Sequence, residues 1–140
     1  LNDNANNNAV TGNTCNSNTA YGIILYPDNS NNTLTGNICN ENETNGITVY
    51  TSTFNAVTGN MCNDNLQDGI DIYSTSDNCT VVGNQCSGNA RHGIFVYSSD
   101  DCSVTGNTCN GNTEQGIVVA NSSINNTVTG NTCFDNTEHG

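Results

Sequence analysis

Lysine and tryptophan are absent from this 140-residue chain, Arg91 is its only arginine, and Pro27 is its only proline. One cation against 13 acidic residues gives a net charge of −12, so nothing is available to neutralise phosphates and a nucleic-acid partner is excluded. No apolar run approaches the ~20 residues of a membrane-spanning helix. Leucine, isoleucine, valine and phenylalanine total only 26 residues, a share that together with this charge would by itself indicate disorder.

What the chain has instead is asparagine, glycine and repetition. The skeleton aliphatic-Thr-Gly-Asn-x-Cys, then Asn, then Gly-Ile-x-aliphatic-Tyr is complete in Val57 to Tyr73 and occurs, with variations, six times in all. Its first glycine falls at Gly12, Gly36, Gly59, Gly83, Gly106 and Gly130, and its second follows ten residues later at Gly22, Gly46, Gly69, Gly93, Gly116 and Gly140. The period alternates between 24 and 23 residues. All length variation therefore sits after the tyrosine, as in Pro27 to Thr33 or Thr51 to Ala56, which marks that stretch as a turn.

Within each copy the apolar residues alternate: Ile23 and Leu25, Ile47 and Val49, Ile70 and Ile72, Ile94 and Val96, Ile117 and Val119. A period of two is that of a strand, and 30 Asn with 14 Gly leave no stretch suited to a helix. Short strands returning to one register every two dozen residues predict an all-β parallel β-helix of about six coils, with equivalent residues stacked ~4.8 Å apart. The periodicity overrules the compositional sign of disorder, because a narrow solenoid needs few core residues when each coil covers its neighbours.

Stacking turns the repeat into columns. Val10, Leu34, Val57, Val81, Val104 and Val128 form an inward aliphatic column. Asn18, Asn42, Asn65, Asn89, Asn112 and Asn136, and likewise Asn13, Asn37, Asn60, Asn84, Asn107 and Asn131, read as ladders that satisfy buried backbone groups. Cys15, Cys39, Cys62, Cys86, Cys109 and Cys133 also stack. Three readings of that column stand open: buried thiols packing as small hydrophobes, strained bridges between neighbours, and a thiolate metal chain, against which the missing histidines count. Cys79 and Cys102 lie in a different column, four residues before Gly83 and Gly106, where a disulfide across a surface turn is expected.

Tyr26, Tyr50, Tyr73 and Tyr97 end successive strands. They form an aromatic ladder at the coil edge, with a platform for sugar rings as the functional alternative. Ionisable groups converge in one place only: alignment of the coils puts Asp68 below His92 and Glu114 above Arg91, with Asp71 three residues from Asp68. Such a set reads as a surface ion-pair cluster or, alternatively, as acid/base groups acting on an acidic sugar held by Arg91. Glu41 under Asp64, and Asp77 under Asp100 beside Asp101, are like charges that solvent screens or a bound Ca2+ offsets. Calcium is the one cofactor this leaves open. Glycan acceptor sequences occur at Asn31, Asn78, Asn121 and Asn125 in the variable turn, and at Asn42 in a ladder.

The runs Asn31-Asn32-Thr33-Leu34-Thr35-Gly36-Asn37 and Asn125-Asn126-Thr127-Val128-Thr129-Gly130-Asn131, followed by Gly46-Ile47 and Gly116-Ile117, resemble the right-handed parallel β-helix repeats of the pectate-lyase-like superfamily. They are most similar to the NosD-like and carbohydrate-binding repeats of secreted and cell-surface proteins. The resemblance implies a right-handed solenoid over residues 1–140 and a setting outside the cytoplasm. It leaves function open, since the superfamily includes lyases, epimerases, phage tailspikes, adhesins and surface-layer components.

Turns of near-constant length wall in no groove, so the expected role is a structural, extracellular β-solenoid. Missing caps suggest a segment of a longer chain, or a unit that self-associates through open ends. A polysaccharide-binding or polysaccharide-modifying β-helix stands second, and a phage or viral host-recognition spike third.

Overall fold

The computed structural model describes all 140 residues, and every regular element in it is a strand. Strands β1 (Ala9–Thr11), β3 (Thr33–Thr35), β5 (Ala56–Thr58), β7 (Thr80–Val82), β9 (Ser103–Thr105) and β11 (Thr127–Thr129) form one six-stranded sheet in that order. Strands β2 (Ile23–Leu25), β4 (Ile47–Tyr50), β6 (Ile70–Tyr73), β8 (Ile94–Tyr97) and β10 (Ile117–Ala120) form a second, five-stranded sheet. Every pairing is parallel, and partners are equivalent residues of successive repeats: Val57 faces Leu34 and Val81, and Tyr73 faces Tyr50 and Tyr97. A third line of single parallel bridges joins Thr14, Ile38, Met61, Gln85, Thr108 and Thr132. The chain is the expected parallel β-helix.

Inside the coils, Leu34, Val57, Val81 and Val104 face Ile47, Ile70 and Ile94, with Val49, Ile72 and Val96 between them, all fully buried. Each such side chain contributes ~1.5–3 kcal/mol by leaving water. Cys39, Cys62, Cys86 and Cys109 close the third side of the same core. Contact with the Cys62 sulfur and burial push the Cys39 thiol well above its ordinary value, and burial does the same for Cys86. All four are buried in the core, where they pack as small apolar side chains.

Strands alone do not hold the stack: 56 of 78 backbone hydrogen bonds lie outside them, running from coil to coil through the turns. The asparagine ladders do the rest. Asn84 accepts on Oδ1 from the backbone N–H of Asn60 at 2.9 Å and from its Nδ2 at 3.0 Å. Its own Nδ2 donates to Asn107 Oδ1 at 3.0 Å and back to the Val57 carbonyl at 2.9 Å. Both lone pairs and both protons of the amide are used. Asn89 repeats the pattern between Asn65 and Asn112, closing on the Cys62 carbonyl.

Two further ladders emerge that the repeat pattern conceals. Ser52, Ser76, Ser99 and Ser123 each accept a backbone N–H from the preceding coil, beginning with Asn29. Asn32 and Asn55 do the same at the position four residues before the first glycine, as does Asn126 for Cys102.

This position corrects the reading of Cys79 and Cys102. They are buried members of that ladder, not residues of a surface turn, and both are free thiols. Their sulfurs take the amide's place, with S–H directed at the Ser52 and Ser76 carbonyls at 3.5 and 3.4 Å.

The two glycine columns exist for different reasons. Gly59 has φ of +61° and open space around its Cα, so the left-handed backbone alone requires it. Gly46 has no such constraint, but a Cβ there would lie 2.7 Å from the Gly69 carbonyl oxygen and 2.8 Å from Cys62 Cβ. Successive coils approach too closely at that corner for any side chain.

Gly69→Ala, whose Cβ would lie 2.6 Å from the Gly93 carbonyl oxygen, is therefore expected to disrupt the central coils. Gly59→Asn, which tolerates the left-handed region, is expected to lose only ~1 kcal/mol; denaturant unfolding followed by circular dichroism separates the two. The double variant Cys79→Asn, Cys102→Asn restores the ladder's amides and is expected to match or exceed the wild-type denaturation midpoint, whereas a cystine needed for stability would make it lower.

Candidate functional site

The outward face of the five-stranded sheet carries two columns in register. Ile24, Thr48, Asp71, Phe95 and Val118 form one. Tyr26, Tyr50, Tyr73 and Tyr97 form the other, with centroid separations of 4.9, 5.6 and 5.3 Å and interplanar angles of 19° to 23°. The expected tyrosine ladder is present. Its geometry refines the sugar-platform alternative, because each ring's face is covered by the next ring. Within the ladder, edges and hydroxyls remain for a ligand.

Beside these columns lies a groove of about 760 Å³, floored by Thr48, Asp71 and Phe95, edged by Tyr26, Tyr50 and Tyr73, and bounded by Asn45, Gln67 and Arg91. The repeat's regularity argued against such a concavity. The residues that bound it, Asn45, Gln67 and Arg91, come from the two positions before the second glycine.

The structure brings Asp68, Asp71, Arg91 and His92 together at one end of this groove. Asp68, 1 % exposed, accepts from Arg91 Nη1 at 3.1 Å on Oδ2. Its Oδ1 lies 3.0 Å from the His92 backbone N–H and 2.7 Å from His92 Nδ1. His92 Nε2 in turn sits 3.0 Å from the Glu114 carboxylate, a partner that coil alignment put near Arg91. The His92 ring stacks on Phe95 at 4.8 Å, and the Arg91 guanidinium lies 5.6 Å from the same ring. Both nitrogens of His92 and both oxygens of Asp68 are thus committed within the protein.

Asp71 differs. Its Oδ2 accepts from Asn45 Nδ2 at 3.1 Å, while Oδ1 is shielded from water and has no partner. Burial, reinforced by the nearby Asp68 charge, pushes its carboxyl up to about 7.

The acidic stacks do not converge into a cation site. No three His, Cys, Asp or Glu side chains are placed to hold a metal ion. Asp77 and Asp100 use Oδ1 to accept the backbone N–H of Asp100 and Ile124, both at 2.8 Å, so they are rungs of the scaffold. Glu41 meets Ser17 at 3.2 Å, and Asp64 leans over Gly88, where a Cβ would strike its carboxylate. Asp101 is an exposed turn residue with φ of +54°. Asn31, Asn78, Asn121 and Asn125 are exposed on turns, whereas Asn42 is a buried ladder residue.

The architecture is that of the right-handed parallel β-helix. Two family models match: "Right handed beta helix region" over residues 1–88 and "Periplasmic copper-binding protein (NosD)" over residues 67–140. Each covers more than half of the chain, which belongs to the NosD-type right-handed β-helix family. A search of curated proteins finds no match.

Among solved structures, the chain is similar to the A-module of the mannuronan C-5 epimerase AlgE4 of Azotobacter vinelandii, with 20% identity and a TM-score of 0.76 over 80% of this chain and 32% of that one. It is also similar to the periplasmic alginate epimerase AlgG, with 27% identity and a TM-score of 0.68 over 83% of this chain and 28% of that one. The chain spans about a third of the length of these structures. No helix of the chain is long and apolar enough to cross a membrane.

The copper in the family's description finds no matching donor set in this chain. Copper sites draw on converging imidazole, thiolate and thioether ligands. Here His92 is held by two carboxylates, the stacked cysteines are packed in the core with no imidazole or thioether converging on them, and the single methionine, Met61, lies on an outer face between Ile38 and Gln85.

Asp71 also makes a prediction about stability. Its native pKa lies above the ordinary carboxylate value of 3.8, so between about pH 4 and pH 7 the folded state binds more protons than the unfolded one and stability falls as pH rises. Melting curves of Asp71→Asn over this range are expected to lack the decline that the wild type shows.

Proposed function

We propose that the chain is a carbohydrate-binding β-helix, in which a polysaccharide lies in the groove along the tyrosine ladder. The carrying observation is the groove itself: an otherwise uniform solenoid gathers three of its four stacked tyrosines, its only arginine and the one carboxylate that buries an unpaired oxygen on a single concave face. A row of phenolic edges repeating every coil suits an extended, repeating polymer, and Arg91 suits an acidic group on it. The relation to alginate epimerases supports this class of ligand. The −12 net charge repels a polyanion at long range, but salt screens that field beyond ~8–10 Å, leaving Arg91 as the near charge.

Binding is favoured over turnover. A general base needs a free lone pair within reach of substrate; His92 and Asp68 have theirs engaged inside the protein, and the unpaired Oδ1 of Asp71 is buried. The periplasmic proteins to which the chain is related support a setting in the periplasm or outside the cell. The identical columns of every coil also suit a structural segment within a longer solenoid or an end-to-end assembly, with glycans at Asn31, Asn78, Asn121 and Asn125 projecting clear of the coil.

Affinity electrophoresis through gels containing mannuronan or a neutral glucan tests the binding reading. Retardation by one of them is expected, and the double variant Tyr50→Ala, Tyr73→Ala is expected to weaken it about tenfold, the equivalent of one or two hydrogen bonds. Equal mobility of wild type in every gel would refute it.

A further inference from the structure

We propose that Asp71 stands in the groove as a neutral carboxyl that donates a hydrogen bond to the ligand, so that the sugar unit over it must present an acceptor oxygen and not a cationic amino group. The proposal rests on reading the groove as a carbohydrate site and names the selectivity of that site.

Asp71 is the middle outward residue of β6, in register with Thr48 of β4 and Phe95 of β8. A hydroxyl and a phenyl ring therefore flank it where a cation would be needed to keep it ionised. Asn45 donates to Oδ2 at 3.1 Å, and nothing donates to Oδ1. An anionic oxygen without water or a donor is costly, and a proton removes that cost.

The charged and titratable groups facing it from every neighbouring element are few. On its own coil they are Asp68 and Tyr73; from the coil of β4, Tyr50; and from the coil of β8, Arg91, His92 and Tyr97. Asp68 disfavours ionisation of Asp71, while Arg91 and His92 oppose that effect, and both of these side chains lie against Asp68, at 3.1 and 2.7 Å. The balance leaves Asp71 near neutrality, pushed up to about 7.

Asp71 lines the groove floor, and the terminal torsion of an aspartate is broad. A rotation therefore turns the protonated oxygen toward a ligand. In that state the groove end carries an acid proton and the Arg91 guanidinium side by side. Both reward an oxygen acceptor, whether a hydroxyl, a ring oxygen or a carboxylate. Both reject an ammonium group.

The test is calorimetric titration of the whole chain with hexamers of mannuronate, of a neutral glucan, and of a permanently cationic N-trimethylated glucosamine, at pH 5.5 and pH 8.5. If binding requires the protonated form, affinity for the mannuronate or neutral hexamer falls ~30-fold between the two, since only ~3% of a group titrating near 7 stays protonated at the higher pH. Asp71→Asn, whose amide donates in the same place, is expected to bind at both pH values about as tightly as wild type does at pH 5.5. The cationic hexamer is expected to bind wild type more weakly than the neutral one at pH 5.5.

Wild-type affinity that does not change with pH, loss of binding at pH 5.5 in Asp71→Asn, or preference for the cationic hexamer would each overturn the proposal. The Asp71 carboxyl 13C resonance of the free protein separates this failure from failure of the groove reading. Titration in the ordinary carboxylate range overturns the neutral carboxyl whatever binds, whereas titration near 7 with no hexamer bound at either pH overturns the groove as a sugar site.

Discussion

The side-chain amide of asparagine is the constraint on which this molecule depends. A coil of two dozen residues turns three corners, and at each corner the backbone leaves N–H and C=O groups that no strand ladder reaches. Asparagine is the one common side chain that offers two donors and two acceptor sites at short reach, and residues such as Asn84 use all of them. With the corners satisfied from within, the enclosed core can be as thin as four aliphatic or thiol side chains per coil. That is why so apolar-poor a sequence folds.

The same arithmetic explains which residues vary. Positions inside the coil answer to the coil above and the coil below, so they are fixed as columns. Positions on the outer face of the second sheet answer to no neighbour across a core, and there Ile24, Thr48, Asp71, Phe95 and Val118 share one column without sharing a chemistry. Departures from the repeat are therefore free to differ from level to level. The cluster of Asp68, Asp71, Arg91, His92 and Glu114 departs furthest.

Much of this was legible in the chain because stacking converts distance in sequence into contact in space. The strand pattern, the two asparagine columns, the aliphatic core and the juxtaposition of Asp68 with His92 all follow from the spacing of the glycines. The serine ladder and the third asparagine ladder did not stand out, since Ser, Asn and Cys exchange there while one hydrogen-bonding role persists. For the same reason Cys79 and Cys102 read as an isolated surface pair. The groove was also hidden: its depth depends on how far side chains rise from a sheet, which spacing does not encode. The covering of one tyrosine face by the next depends on rotamers, again invisible in the repeat.

Every fully bonded amide in the two ladders passes its proton toward the next coil, so each interface between coils is the same directed joint. A joint that is identical at every level can be cut and rejoined with one unit more or fewer and still fit. Growth or shortening by whole turns would change how long a face the molecule presents, without redesign of any layer. In such an architecture reach is set by copy number, and selectivity by the few levels that break the pattern.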